Sequence, residues 1–215
     1  MIMIAHAVYD ENGKSCNGVG GDQTGKEICI WDWYKSGSGW THVLRAKDKK
    51  AAKKISETAQ AIANNDNIGY DQNNRTSLYD NAVKVNYDIS KIKVPCECDC
   101  STLVSVCVNA AGVKIAKNIY TGNQLNAIKA TDAFEILTDK KYLTSADNLQ
   151  DGDILLRVGH TAVAVDIRRK LELTSPRMKG EDVKKLQVLI NEEPDGIYGP
   201  DTDKKVQAIK AALGL

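Results

Sequence analysis

The sequence predicts an α+β fold, with helices packed on an antiparallel sheet and a small α-helical module after it. Three observations predict this. From residue 49 to about 130, apolar residues recur at helical spacing. From residue 134 the period shortens to alternation, in "FEIL", "DGDILLRV" and "HTAVAVDI", with turn residues between these runs. Around Arg168–Pro176 the composition turns basic and polar, and two further helical segments follow. Helices first and strands afterwards is the order of an α+β domain. The expected domains are 1–168 and 169–215.

The elements follow in order. "NGVGGDQTG" is a loop on composition, and "KEICIWDWY" alternates towards a strand. Lys49–Ala63 places apolar residues at 51, 52, 55, 59 and 62, one face of a helix. Asp48 is positioned to cap it and "NNDN" to end it. Thr76–Val85 reads as a short second helix. Asp99–Ala111 is apolar nearly all round, which predicts a buried helix, with Asp99 as N-cap and Gly112 just past its end. Gly122–Ala130 is a further helical stretch. In "HTAVAVDI", His160, Ala162, Ala164 and Asp166 share one face, and Thr161, Val163, Val165 and Ile167 the other. The module after residue 168 has helices at Glu181–Asn191 and Pro200–Leu213, with Gly196 and Gly199 marking turns and Pro200 suited to a first helical position.

Composition removes several classes of function. The 215 residues carry a formal net charge of +1, so no overall field draws the chain to nucleic acid or to an anionic membrane. The opening "MIMIAHAVYDENGKS" has no basic n-region, and His6, Asp10 and Glu11 break its apolar run, so no signal peptide is read. No stretch reaches the roughly 18 apolar residues of a membrane span. The expectation is a protein made in the cytoplasm that acts elsewhere only after release. Its 6 cysteines are expected to be free thiols.

Three of those cysteines stand on alternate positions in "PCECDCSTL". Structural zinc sites pair cysteines two to four residues apart and add a second pair at a distance. Cys96, Cys98, Cys100 and Cys107 do not follow that spacing, so zinc is the weaker reading and no metal or cofactor is expected. Cys107 reads as core. Cys100 differs by position, because a thiol on the first turn of a helix lies against free N–H groups that lower its pKa. A nucleophile also needs a base, and only 3 histidines exist, His6, His42 and His160. His160 opens a strand after Gly159, and docking the sheet on the buried helix would bring it to Cys100.

"DCSTLV" followed by "GDILLRVGHTAVAV" resembles the NlpC/P60 superfamily of cysteine peptidases, over about residues 95–167. "ENG", "GDQTGKEI" and "WTHVLR" are similar to phage endolysins of that superfamily. The resemblance implies a papain-like domain with Cys100 as nucleophile and His160 as base, and Asp99 and Ser101 binding the stem peptide of bacterial peptidoglycan. The superfamily carries a third polar residue on the next strand. Here Asp166 shares the His160 face, but six residues of strand put it roughly 20 Å away. His6, Asp22, Gln23 and Glu27 are the N-terminal alternatives. "MKGEDVKKLQVLI" with "DGIYGPDTDKKVQAI" resembles the peptidoglycan-binding module of wall hydrolases. Together these imply a peptidoglycan hydrolase that cleaves an amide of the stem peptide, first the γ-D-glutamyl–diamino acid bond and alternatively the N-acetylmuramoyl–L-alanine amide. The rival from another class is a non-catalytic wall-binding protein.

Overall fold

The computed structural model describes residues 2–35, 39–166 and 171–214. The chain divides into two compact units, Ile2–Ile167 and Arg168–Leu215. The expected boundary at 168/169, and Ile167 of the last expected strand, lie outside the described residues.

The first unit is built on a six-stranded antiparallel sheet in the order β2-β1-β8-β7-β3-β6. Its strands are β1 (Ile2–Ala7), β2 (Ile28–Asp32), β3 (His42–Ala46), β6 (Phe134–Leu137), β7 (Ile154–Arg157) and β8 (His160–Asp166). Two short strands, β4 (Ile68–Tyr70) and β5 (Cys96–Cys98), form a separate parallel pair. This is the α+β architecture the sequence predicts.

Helices α1 (Lys49–Ala63) and α3 (Cys100–Ala110) bury their apolar faces with one side of the sheet. Ile55, Ala59 and Ile62 of α1 meet Leu103 and Val106 of α3, together with Val163 and Val165 of β8. Asp48 caps α1 by accepting the Lys50 N–H at 2.8 Å. Asp99 caps α3 by accepting the Thr102 N–H at 2.7 Å. The other side of β8, through Ala162 and Ala164, packs on Ile4, Trp40, Val43 and Leu155. The two faces of β8 therefore separate as the alternation predicts. Helices α2 (Ser77–Lys84), α4 (Thr121–Lys129) and α5 (Lys140–Leu143), and a 3-10 turn at Ile89–Lys91, also belong to this unit.

Two packing details fix where β7 begins. Gly152 has φ +84°, and a Cβ there would collide with the Ala52 carbonyl of α1, so the position requires glycine. Asp153 beside it is buried and takes both arms of Arg45, at 2.8 and 2.6 Å.

Strands β1 and β3 are absent from the sequence reading. "IMIAHA" lacks polar alternation because both of its faces are covered, and a short continuous apolar run is ambiguous between helix and strand. The alternating cysteines also acquire a structural account. Cys96 and Cys98 lie on β5 with 1% and 0% exposure and belong to the main core, while Cys107 is likewise buried inside α3.

The second unit holds α6 (Glu181–Leu189) and α7 (Pro200–Leu213). Its small core includes Val183 and Tyr198. The buried Gln187 amide organises the intervening loop: it accepts from the Gly196 N–H at 2.8 Å and donates to Asp195 Oδ1 at 2.8 Å. Among the described residues, no helix is long and apolar enough to cross a membrane.

Candidate functional site

Cys100 is the first residue of α3, and His160 the first of β8. Because α3 packs along β8, the two starting ends meet, and both side chains line one pocket of about 420 Å³. Sixty positions of sequence separate them, yet each is placed by a local rule: the Asp99 cap fixes where α3 begins, and the Val158–Gly159 turn fixes where β8 begins. Gly159 sits at φ +79°, a backbone shape that glycine adopts without strain.

The third group comes from the first strand. His6 Nδ1 lies 3.1 Å from His160 Nε2, and Tyr34 Oη lies 3.3 Å from the same His6 nitrogen. β1 is hydrogen-bonded to β8, which puts His6 on the strand next to His160. Trp31 meets the His6 ring edge-on, with centroids 4.9 Å apart, and Trp40 lies 5.9 Å from the His160 ring. Both imidazoles are thus held in an aromatic surround. The other N-terminal candidates bond elsewhere. Asp22 accepts from the Thr24 and Gly25 N–H groups, Gln23 donates to the Gly20 and Gly21 carbonyls, and Glu27 accepts from the Gln23 and Tyr70 N–H groups. Asp166 stands at the opposite end of β8, paired with Ile2.

Electrostatics correct one expectation. The helix start was expected to lower the Cys100 pKa. Instead, burial pushes the thiol up to about 11, the Asp99 charge adds to this, and backbone hydrogen bonds from Thr161 and Ser101 only partly offset it. Burial lowers His160 to about 4, with the Arg157 charge contributing, and lowers His6 to about 3, with His160 contributing. At neutral pH the pair rests as thiol and neutral imidazole, because loss of hydration outweighs the few N–H groups that favour a thiolate.

Asp99 and Ser101 border a second pocket of about 320 Å³ that also contains Cys100. Asp99 already serves as the α3 cap and pairs with Arg75 at 2.9 Å. Ser101 is buried, with its Oγ 3.9 Å from Cys100 Sγ. Arg75, Arg157, Tyr34 and Trp31 were not foreseen at the site; isolated in sequence, they carry no motif. Among the described residues no group of three or more His, Cys, Asp or Glu side chains is arranged to hold a metal ion.

The endolysin-like domain family model matches residues 4–170, and the chain belongs to this family. No curated protein and no solved structure matches the chain. Membership supports a general role in peptidoglycan hydrolysis, with the matched region running from within β1 through β8 and so over every residue of the site just described.

Proposed function

We propose that the chain hydrolyses an amide bond in the peptidoglycan stem by cysteine chemistry, with Cys100 as nucleophile and His160 as base. The observation that carries this is the shared pocket of Cys100 and His160 inside an endolysin-like domain.

The hydrogen bonding supports one proton route. His160 Nε2 is engaged by His6, which leaves Nδ1 to take the Cys100 proton. A base at Nδ1 keeps its proton on Nε2, and that N–H donates to His6 Nδ1. In this route His6 is the acceptor that holds the tautomer and the ring orientation. Cys100 Sγ attacks the amide carbon as His160 Nδ1 takes the thiol proton. The Cys100 N–H belongs to the first helical turn, whose N–H groups have no partner within the helix, and would stabilise the developing oxyanion. His160 then passes its proton to the leaving amine, and a thioester remains. Water, deprotonated by His160, hydrolyses the thioester and restores the thiol.

The superfamily resemblance favours the γ-D-glutamyl–diamino acid bond. The N-acetylmuramoyl–L-alanine amide is the second reading, favoured by the aromatic walls around Cys100. Asp99 and Ser101, on the second pocket, would bind the stem peptide. The helical unit beyond residue 168 would hold the enzyme on the wall, and the enzyme would reach its substrate after release from the cytoplasm.

Incubating purified peptidoglycan with reduced protein, and identifying the new amines by mass spectrometry, tests this reading. Intact walls after incubation with folded, reduced protein would overturn it. Wall binding without hydrolysis, unchanged in Cys100→Ala, would establish the non-catalytic rival.

A further inference from the structure

Helix α4 grips the start of β8 on both sides of His160. Thr121 and Gln124 stand three residues apart on α4 and so share a face. Thr121 Oγ1 accepts the Gly159 N–H at 3.2 Å, and Gln124 Nε2 donates to Thr161 Oγ1 at 2.9 Å. The Thr161 hydroxyl in turn donates to the Leu155 carbonyl at 2.8 Å, across the β7–β8 hairpin. Its oxygen can then only accept from Gln124, which turns the amide nitrogen towards Thr161. The residues before and after the proposed base are thus both tied to one helix.

That end of β8 has need of a tie. Pairing with β1 ends at Ala5–Val163, so among the described residues His160, Thr161 and Ala162 are held in the sheet through β7. Packing alone does not account for the residues that supply it. Gln124 is fully buried, and its Oε1 has no hydrogen-bond partner among the described residues. A buried amide with an unmet acceptor costs stability that an apolar side chain of the same size would not. Thr161 is also fully buried, on the β8 face whose Val163 and Val165 join the main core. Its backbone hydrogen-bonds towards the Cys100 thiol. Thr161 therefore touches Gln124 with its side chain and Cys100 with its backbone, and is bonded directly to His160.

We propose that Gln124, acting through Thr161, is a positioning residue that holds His160 at Cys100. This rests on the hydrolase reading above and adds to it the contact that sets the spacing of base and nucleophile. A displacement of about 1 Å between reacting groups can cost about 10²-fold in rate, so a hairpin end anchored by a neighbouring helix has a direct catalytic consequence.

The test follows new amines released from one soluble muropeptide, N-acetylmuramoyl-L-alanyl-γ-D-glutamyl–diamino acid, which contains both candidate bonds. Thr161→Val keeps the shape of threonine and Gln124→Met the length of glutamine, and each removes the bond between the two residues. Each should lower kcat about tenfold or more and keep KM within about threefold. Thr161→Ser retains the hydroxyl and should recover most of the rate. Because the two residues act through one bond, the double variant should be no slower than the slower single one. Gln124→Met should melt at or above the parent's midpoint, since it removes the unmet acceptor. Gln124→Leu gives the same comparison if the methionine variant does not fold. Parent-like kcat in the folded Gln124 variant or in Thr161→Val would overturn the proposal and leave the hydrolase reading intact. So would a loss in Thr161→Ser equal to that in Thr161→Val, or losses that multiply in the double variant. No new amine with the parent protein would remove both readings.

Discussion

His6 Nδ1 and His160 Nε2 are 3.1 Å apart, across a sequence separation of 154 residues. The contact exists because the first and last strands of the endolysin-like domain are neighbours in the sheet. In the proposed mechanism it supplies from the N-terminus the partner that the resemblance places on a strand after the base.

His6→Ala should lower kcat about 10²-fold or more while leaving KM nearly unchanged, because it removes the acceptor that fixes the His160 tautomer. His6→Asn and His6→Gln retain an acceptor oxygen and should recover part of the rate. Steady-state kinetics on all three variants checks this. Equal loss in all three, or a loss confined to KM, would assign His6 a packing role instead.

The resting state of Cys100 is open to alkylation kinetics. A thiol held near 11 beside an imidazole near 4 should react slowly with iodoacetamide at neutral pH, and faster as pH rises towards 11. A preformed thiolate–imidazolium pair would instead give a fast plateau extending into the acid range. Hydrolysis should rise with pH through about 4, as His160 loses its proton, and then hold across neutral pH.

Glu97 couples stability to pH. It is buried on β5, accepts the Gly21 N–H at 2.6 Å with Oε1, and its Oε2 has no hydrogen-bond partner among the described residues. Burial pushes its carboxyl up to about 7; the Gly21 N–H opposes this, and the charges of Glu27, Asp71 and Glu11 add to it. The folded state therefore keeps a proton that the unfolded chain releases near 4.5. Its contribution is full below about 4.5 and is lost as pH rises through about 7. The melting midpoint should fall by several degrees between pH 5 and pH 8, on the order expected for one strongly shifted group. Glu97→Gln should remove most of that slope. A slope retained in the variant would place the titration elsewhere.

Gly152 and Asp153 should prove structural. Gly152→Ala drives a methyl group into the Ala52 carbonyl in a left-handed conformation, and Asp153→Ala removes the buried carboxylate that pairs with Arg45, leaving the guanidinium only the Asn148 carbonyl and the Tyr142 ring among the described residues. Each should cost about 3 kcal/mol or more in urea unfolding. Cys100→Ala, by contrast, should abolish hydrolysis and leave the unfolding midpoint near that of the parent.

The part of the site legible in sequence was the part written locally. "DCSTLV" announces a cap, a helix start and a thiol within six residues, and "VGHTAVAV" a turn followed by a strand with separate faces. His6 stood among several N-terminal candidates because "IMIAHA" carries no period that would assign it to a strand. Trp31 and Tyr34 were invisible as site residues for a related reason: a pocket wall collected from a strand and a loop has no spacing to read.

The sequence by itself determined the α+β class, the capped helix that begins at Cys100, and the strand that begins at His160, since periodicity and capping act over a few residues. Tertiary structure decided which histidine meets His160, what faces Cys100 on either side, and the charge state of the pair. Those depend on strand order and on burial. Strand order is set by pairing between distant segments, and burial removes water from groups whose neighbours in the chain give no sign of it. The cysteine beside the helix start therefore rests as a thiol, although its local position alone favours the thiolate.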